Sequence, residues 1–148
     1  MGQGLTIEFW VPGIPRPQGS KRGFSTPKGK VIMVEMSKAL PGWRADVRAE
    51  AMKHAPDSLL EGPLWLHAEF VFSRPKAHYY TGKRSHLLRA NALEYVTKAP
   101  DLSKLIRGIE DAMESILFKN DSQIAYVVAR KTFGDSPGVR VTLSTVRD

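Results

Sequence analysis

From Leu102 to Leu117 the sequence carries a periodicity that admits one regular structure. At 100° per residue, Leu102, Leu105, Ile106, Ile109, Ala112, Met113, Ile116 and Leu117 fall in one arc about 140° wide. Ser103, Lys104, Arg107, Glu110, Asp111 and Glu114 fall outside it. The spacing predicts an amphipathic helix over 102–117 with one face on a core, and Asp101, directly after Pro100, stands where an N-cap belongs. Gly42 to His54 reads as a second helix, with Trp43, Val47, Ala51 and Met52 on its apolar stripe.

Elsewhere the period is two. Thr6 to Val11 sets Ile7, Phe9 and Val11 against Thr6, Glu8 and Trp10. Pro63 to Ser73 sets Leu64, Leu66, Ala68, Phe70 and Phe72 against Trp65, His67, Glu69 and Val71. Val31 to Met36 reads as a further strand. Gln123 to Thr132 and Val139 to Thr145 read as a C-terminal hairpin closed by Asp135-Ser136-Pro137-Gly138. The order β, β, α, β, α, β, β predicts an α+β fold, a small mixed sheet packed by two main helices. A chain of 148 residues is long enough for one domain, 1–148, with its own core.

Two segments resist regular structure and are basic. Pro12 to Lys30 is interrupted by Pro and Gly, and carries Arg16, Lys21, Arg22, Lys28 and Lys30 with no acidic residue. Arg74 to Ala99 carries Arg74, Lys76, Lys83, Arg84, Arg89 and Lys98 against only Glu94, with Tyr79, Tyr80 and Tyr95 interleaved. It is expected to be a mobile loop with one short helix near Leu87 to Leu93. Across the chain, 22 Lys and Arg against 15 Asp and Glu give a net charge of +7. That balance points to a polyanionic partner, nucleic acid before an anionic membrane.

Other classes drop out. The absence of Cys excludes a disulfide scaffold, a thiolate zinc site and a Cys nucleophile. No apolar run approaches a membrane span and no signal peptide opens the chain, so a cytoplasmic location is expected, in a bacterial cell or a phage-infected host once the resemblance given below is included. There is no phosphate-binding loop, nucleophile elbow or His-Glu-x-x-His, and the four His lack metal-ligand spacing, so no small-molecule cofactor is expected. What remains is an acidic set around one helix: Asp101 at its start, Glu110 and Asp111 on its polar face, Asp121 beyond its end. Carboxylates in a basic protein can hold Mg²⁺, which offsets phosphate charge and activates water. The plain alternative is that Asp101 caps the helix, Glu110 and Glu114 are solvated, and Asp121 starts a turn.

Lys98-Ala-Pro-Asp101-Leu-Ser-Lys-Leu105, Glu110-Asp-Ala-Met113 and Phe118-Lys-Asn-Asp121-Ser-Gln-Ile124 resemble, in order, the motifs of the RusA family of Holliday-junction resolvases. Pro15-Arg-Pro-Gln-Gly-Ser-Lys-Arg22 is similar to the basic loop after the first strand in phage-type members. The resemblance implies a RusA-like homodimer that uses Mg²⁺, with Mn²⁺ as a substitute, to nick two opposed strands of four-way or branched DNA. It implies Asp101, Asp121 and Asp111 as metal-binding acids, and Arg107 where the family commonly has a catalytic Lys. Three positions depart from the pattern: Ser103 and Asn120 stand where the family has Asp, and Arg107 where it has Lys. Ser103 could still hold a metal-bound water. Arg107 keeps the charge but cannot donate a proton near neutral pH.

A straight helix over 102–117 is roughly 22 to 24 Å long, so Asp101 and Asp121 would lie near opposite ends. A two-fold dimer with antiparallel helices would set Asp101 of one chain beside Asp121 of the other, twice; a break at Gly108 would instead shorten the distance within one chain. Arg16, Lys21, Arg22, Lys28, Lys30, Lys83, Arg84 and Arg89 would contact phosphates, and Tyr79 or Tyr80 would stack on an unpaired base. Two rival readings stand beside the nuclease: a branched-DNA-binding protein on the same scaffold that has lost cleavage, favoured by Ser103 and Asn120, and an RNA-binding accessory protein.

Overall fold

The computed structural model describes residues 4–18, 21–25, 31–35 and 40–146. Four strands form one mixed sheet: β1 (Thr6–Pro12), β4 (Leu64–Ser73), β5 (Ile124–Gly134) and β6 (Gly138–Thr145), in the order β1-β6-β4-β5. β6 runs antiparallel to both its neighbours, and β4 and β5 are parallel. β2 (Lys21–Ser25) and β3 (Val31–Glu35) form a separate antiparallel pair, so the segment expected as a basic loop contains a strand. Helices α1 (Leu40–Lys53) and α2 (Leu102–Met113) complete the α+β architecture.

The period-two residues occupy the faces their alternation assigns. Leu64, Leu66, Ala68 and Phe70 of β4 are buried, as are Phe9 and Val11 of β1 and Val139, Val141 and Leu143 of β6. They share one core with Trp43, Val47 and Ala51 of α1 and with Leu105, Ile109, Ala112 and Met113 of α2. Burial of this apolar area is the main force holding helices to sheet. Met52, expected on the buried stripe, is exposed: it sits one residue round the helix from Ala51 and so faces away.

The C-terminal hairpin does not form. β4 lies between β5 and β6, because its fully apolar face takes the centre of the sheet, and the 135–137 connection crosses over its end. Two glycines make that crossing possible. A Cβ at Gly134 would come within 2.7 Å of the Val71 side chain, and one at Gly138 within 2.4 Å of Trp10 and of the Val11 carbonyl.

The helix predicted to Leu117 ends at Met113. Glu114 is extended and Ser115 adopts a left-handed φ of 71°. The amides of Ile116 and Leu117 both donate to the Met113 carbonyl, and Ser115 N–H donates to Phe118 O. Leu117 and Phe118 are still fully buried, but through a reversing turn. Gly108 is an intact, buried helical position and not a break.

Candidate metal and nucleic-acid site

The reversal after α2 returns the chain alongside the helix it has just left. Among the described residues, carboxylate oxygens of Asp111, Glu114 and Asp121 lie within 4.8 Å of one another. Asp111 and Glu114 are half-buried and Asp121 is exposed. Glu110 stands beside them: burial, then the charges of Asp121 and Asp111, raise its carboxyl from 4.5 to about 7, against a smaller lowering by Arg107. Concentrated negative charge of this kind is costly unless a cation or proton balances it. Three converging carboxylates are the hard oxygen donors that Mg²⁺ and Mn²⁺ accept, so the donor set fits such an ion.

Asp121 is held in place by its neighbours. The Asn120 side chain accepts from Ser122 N at 2.9 Å, capping the turn Asp121–Gln123. Gln123 Oε1 accepts from Asn120 N and Lys119 N, while its Nε2 donates to the carbonyls of Leu60 at 3.0 Å and Gly62 at 3.1 Å. Asn120, which stands at a family Asp position, is therefore a cap here.

Asp101 lies elsewhere. It occupies the N-cap position but makes no side-chain cap hydrogen bond, so the expected cap is absent. Its carboxylate is exposed and 3.8 Å from Lys104 Nζ. Ten residues of helix separate it from Asp111, about 15 Å along the axis. Within one chain the expected set Asp101, Asp111 and Asp121 thus divides: the last two converge and Asp101 does not. Ser103 and Arg107 are exposed on α2 between the two ends.

A cleft of about 550 Å³ opens at the Asp101 end, lined by Arg16, Pro17, Phe72, Pro100, Asp101 and Lys104 among others. The basic loop after β1 is docked there: Gln18 N–H donates to Lys104 O at 2.9 Å, and the Gln18 side chain accepts from Arg44. Lys131 of β5 reaches beneath, donating to the carbonyls of Lys98 and Pro100 at 2.9 Å each.

The 74–99 segment is tied down by hydrogen bonds, and residues 87–93 are not helical. Tyr80 N–H donates to Leu87 O and Arg89 N–H to His78 O, which brings Lys83, Arg84 and Arg89 onto one looped arm. Arg84 stands 4.2 Å and Arg89 5.3 Å from the Tyr80 ring centre. Tyr80 therefore carries two guanidinium groups at its ring. The segment then follows the edge of β5, with Val96 N–H donating to Lys131 O and Phe133 N–H to Glu94 O. Lys21 and Arg22 lie on β2; Lys28 and Lys30 lie outside the described residues.

Glu114, Gln123, Lys131 and Lys104 were missed as contributors to the site. Glu114 left a signal in the helix spacing, since Glu110, Asp111 and Glu114 share the polar face of the helix by their three- and four-residue spacing. Lys104 and Gln123 stand within the motif stretches, but their contacts, like those of Lys131, are made across elements and leave no local signal.

A mixed sheet that carries an acidic centre and an ordered basic arm defines a protein equipped to act on a polyanion. The family model described as endodeoxyribonuclease RusA matches residues 12–144. The chain belongs to this family of DNA-cleaving enzymes. It is also 29% identical over 140 residues to the uncharacterized protein YqaN of Bacillus subtilis (strain 168), covering 95% of this chain and 96% of that one. Among the described residues no helix is long and apolar enough to cross a membrane.

Proposed function

We propose that the protein is a Mg²⁺-dependent endonuclease that resolves Holliday junctions or other branched DNA by paired nicks, acting as a homodimer. The observation that carries this reading is the convergence of Asp111, Glu114 and Asp121 beside α2 in a chain of the RusA family. A divalent ion held there would offset phosphate charge and lower the pKa of bound water. The chain's own residues supply the rest. Gln123 and Asn120 fix the turn that presents Asp121. Arg16 and Lys104 line the cleft at Asp101, and Lys83, Arg84 and Arg89 offer phosphate contacts that are independent of sequence. Arg107, permanently charged, acts as an electrostatic partner to phosphate and not as a proton donor.

Cleavage of a labelled synthetic four-way junction in Mg²⁺, Mn²⁺ or EDTA tests the reading, with wild type beside Asp101→Asn and Asp121→Asn. Symmetric nicks that need metal and fall more than about 100-fold in either variant are expected. Ser103 supports a second reading, a branched-DNA-binding protein without cleavage. Tight junction binding with no nicks in any metal would select it, and Ser103→Asp would then be expected to restore activity.

A further inference from the structure

The core-facing row of β4 runs Leu64, Leu66, Ala68, Phe70 and Phe72, and its last ring is left partly open. The first four are fully buried, whereas Phe72 is half-buried. Its partner in the parallel ladder is Phe133 of β5, also half-buried and on the same face by strand alternation. Two neighbouring aromatic rings thus stand at one end of the sheet without full cover from the core.

The 73–99 segment builds a slot around them. A cavity of about 350 Å³ is lined by Phe72, His78, Leu93, Val96, Lys98 and Phe133 among others, and none of the described residues that line it is acidic. Its walls are braced. The Arg74 guanidinium stands 5.4 Å from the Phe133 ring centre and donates to Leu93 O at 2.6 Å. The His78 ring meets Phe133 edge-on at 4.7 Å, and Val96 N–H is fastened to Lys131 O. The slot is therefore formed before any ligand arrives.

It also adjoins the Asp101 cleft, since Phe72 and Ala99 line both. The cleft offers the cations Arg16 and Lys104, and the slot offers aromatic and aliphatic walls. A nucleotide is divided in the same way, an anionic phosphate joined to a flat base with an apolar face.

We propose that the slot takes one unpaired DNA base from the strand whose backbone lies in the Asp101 cleft. The inference rests on the branched-DNA reading and deepens it, naming the part of the strand that the 73–99 segment engages. Its volume of about 350 Å³ is at the small end of ligand sites, roughly 300 to 1,000 Å³, and suits one base and not a base pair. Taking a base out of a continuous duplex costs unpairing and unstacking, and a branch point lowers that cost. Walls that are mostly apolar select by stacking and fit, with little readout of base identity. A seated base would fix the register of the strand beside Asp101.

A cycle of protein and DNA changes tests the slot. Binding is measured in EDTA, so that no cleavage enters, to a four-way junction with all its bases or with one abasic residue at each crossover position in turn. Wild type should bind the intact junction about 10-fold more tightly than the junction abasic at the seated position, the effect of one stacked base. Leu93→Trp fills the slot, and because Leu93 is 52% exposed the core is spared. This variant should bind both junctions equally, at the level of wild type on the abasic one. Phe72→Leu keeps apolar volume but removes a ring, and should lower the ratio between the two junctions. Arg84→Ala should weaken both junctions alike and leave the ratio unchanged.

The same comparison on a short single strand and its wholly abasic counterpart needs no junction. Base dependence there that Leu93→Trp abolishes, without preference for the junction, would keep the slot and sink the junction reading. A wild type that binds neither substrate or ignores base loss on both, or a Leu93→Trp variant as base-dependent as wild type, would overturn the proposal.

Discussion

The two ends of α2 hold similar residue types in opposite electrostatic settings. At the N-terminal end, Asp101 is exposed, the one carboxylate among the described residues that line the open cleft, and accompanied there by Lys104 and Arg16. At the C-terminal end, Asp111, Glu114 and Asp121 converge, and Glu110 beside them is pushed to about 7. Cations stand beside the acid at one end, whereas at the other the carboxylates and burial outweigh the lowering effect of Arg107 on Glu110. A helix of 12 residues, about 18 Å, keeps these ends apart within one chain. The difference teaches that the acids of this family motif do not make a centre simply by being near in sequence.

The largest test of the contrast mixes two dead variants. If the ends cooperate only between chains, Asp101→Asn and Asp121→Asn are each inactive alone, but their heterodimer has one intact centre and one doubly damaged one. Junction nicking of a single strand should then return, a recovery of about 100-fold over either variant, measured by gel after subunit exchange. No recovery would place the two acids in service of the same chain's site.

Gln123→Ala probes the acidic end alone. It removes the bonds to Leu60 and Gly62 that hold the Asp121 turn, and should lower cleavage about 10-fold while leaving junction affinity unchanged in a gel-shift assay. An equal loss of affinity would show that the turn also binds DNA.

The pH response separates the ends by stability. Glu110 is raised from 4.5 to about 7, so between those values the folded chain holds a proton that the unfolded chain has released. In metal-free buffer, stability should therefore fall as pH rises from about 4.5 through 7 and then level off. Glu110→Gln should flatten that slope in urea melts taken across the range.

The smallest effect concerns the basic arm. Arg84→Ala should lower the slope of log affinity against log salt by about one and weaken junction binding, without altering which metal supports cleavage. Tyr80→Ala, by freeing both arginines, should weaken binding in the same assay, and Tyr80→Phe should restore it.

Much of this was legible in the residues. The alternation of Leu64 to Phe70 found the central strand and its buried face, and Leu102 to Met113 found the helix that carries the acids. The ordered motifs led to the family. The helix was read to Leu117 because Ile116 and Leu117 continue the apolar arc; burial by a turn and burial by a helix leave the same apolar signature. The hairpin was read from a good turn sequence, but a turn fixes a reversal and not which strand fills the space beside it. The mobile-loop expectation at 74–99 followed from its polar composition, while its order comes from backbone bonds that composition does not encode.

The sequence by itself determined the element types, the core faces and the chemistry available: carboxylates on a helix, cations in two segments, and no thiol. Its periods and residue types act over a few neighbouring positions, where side-chain direction is fixed by helix or strand geometry. Tertiary structure alone decided which acids meet. The left-handed Ser115 reverses the chain and Gln123 fastens the return to Leu60 and Gly62, so Asp121 joins Asp111 and Glu114, while Lys131 secures Asp101 at the far end. These are contacts between distant segments, and they exist only once the shared core has brought those segments together.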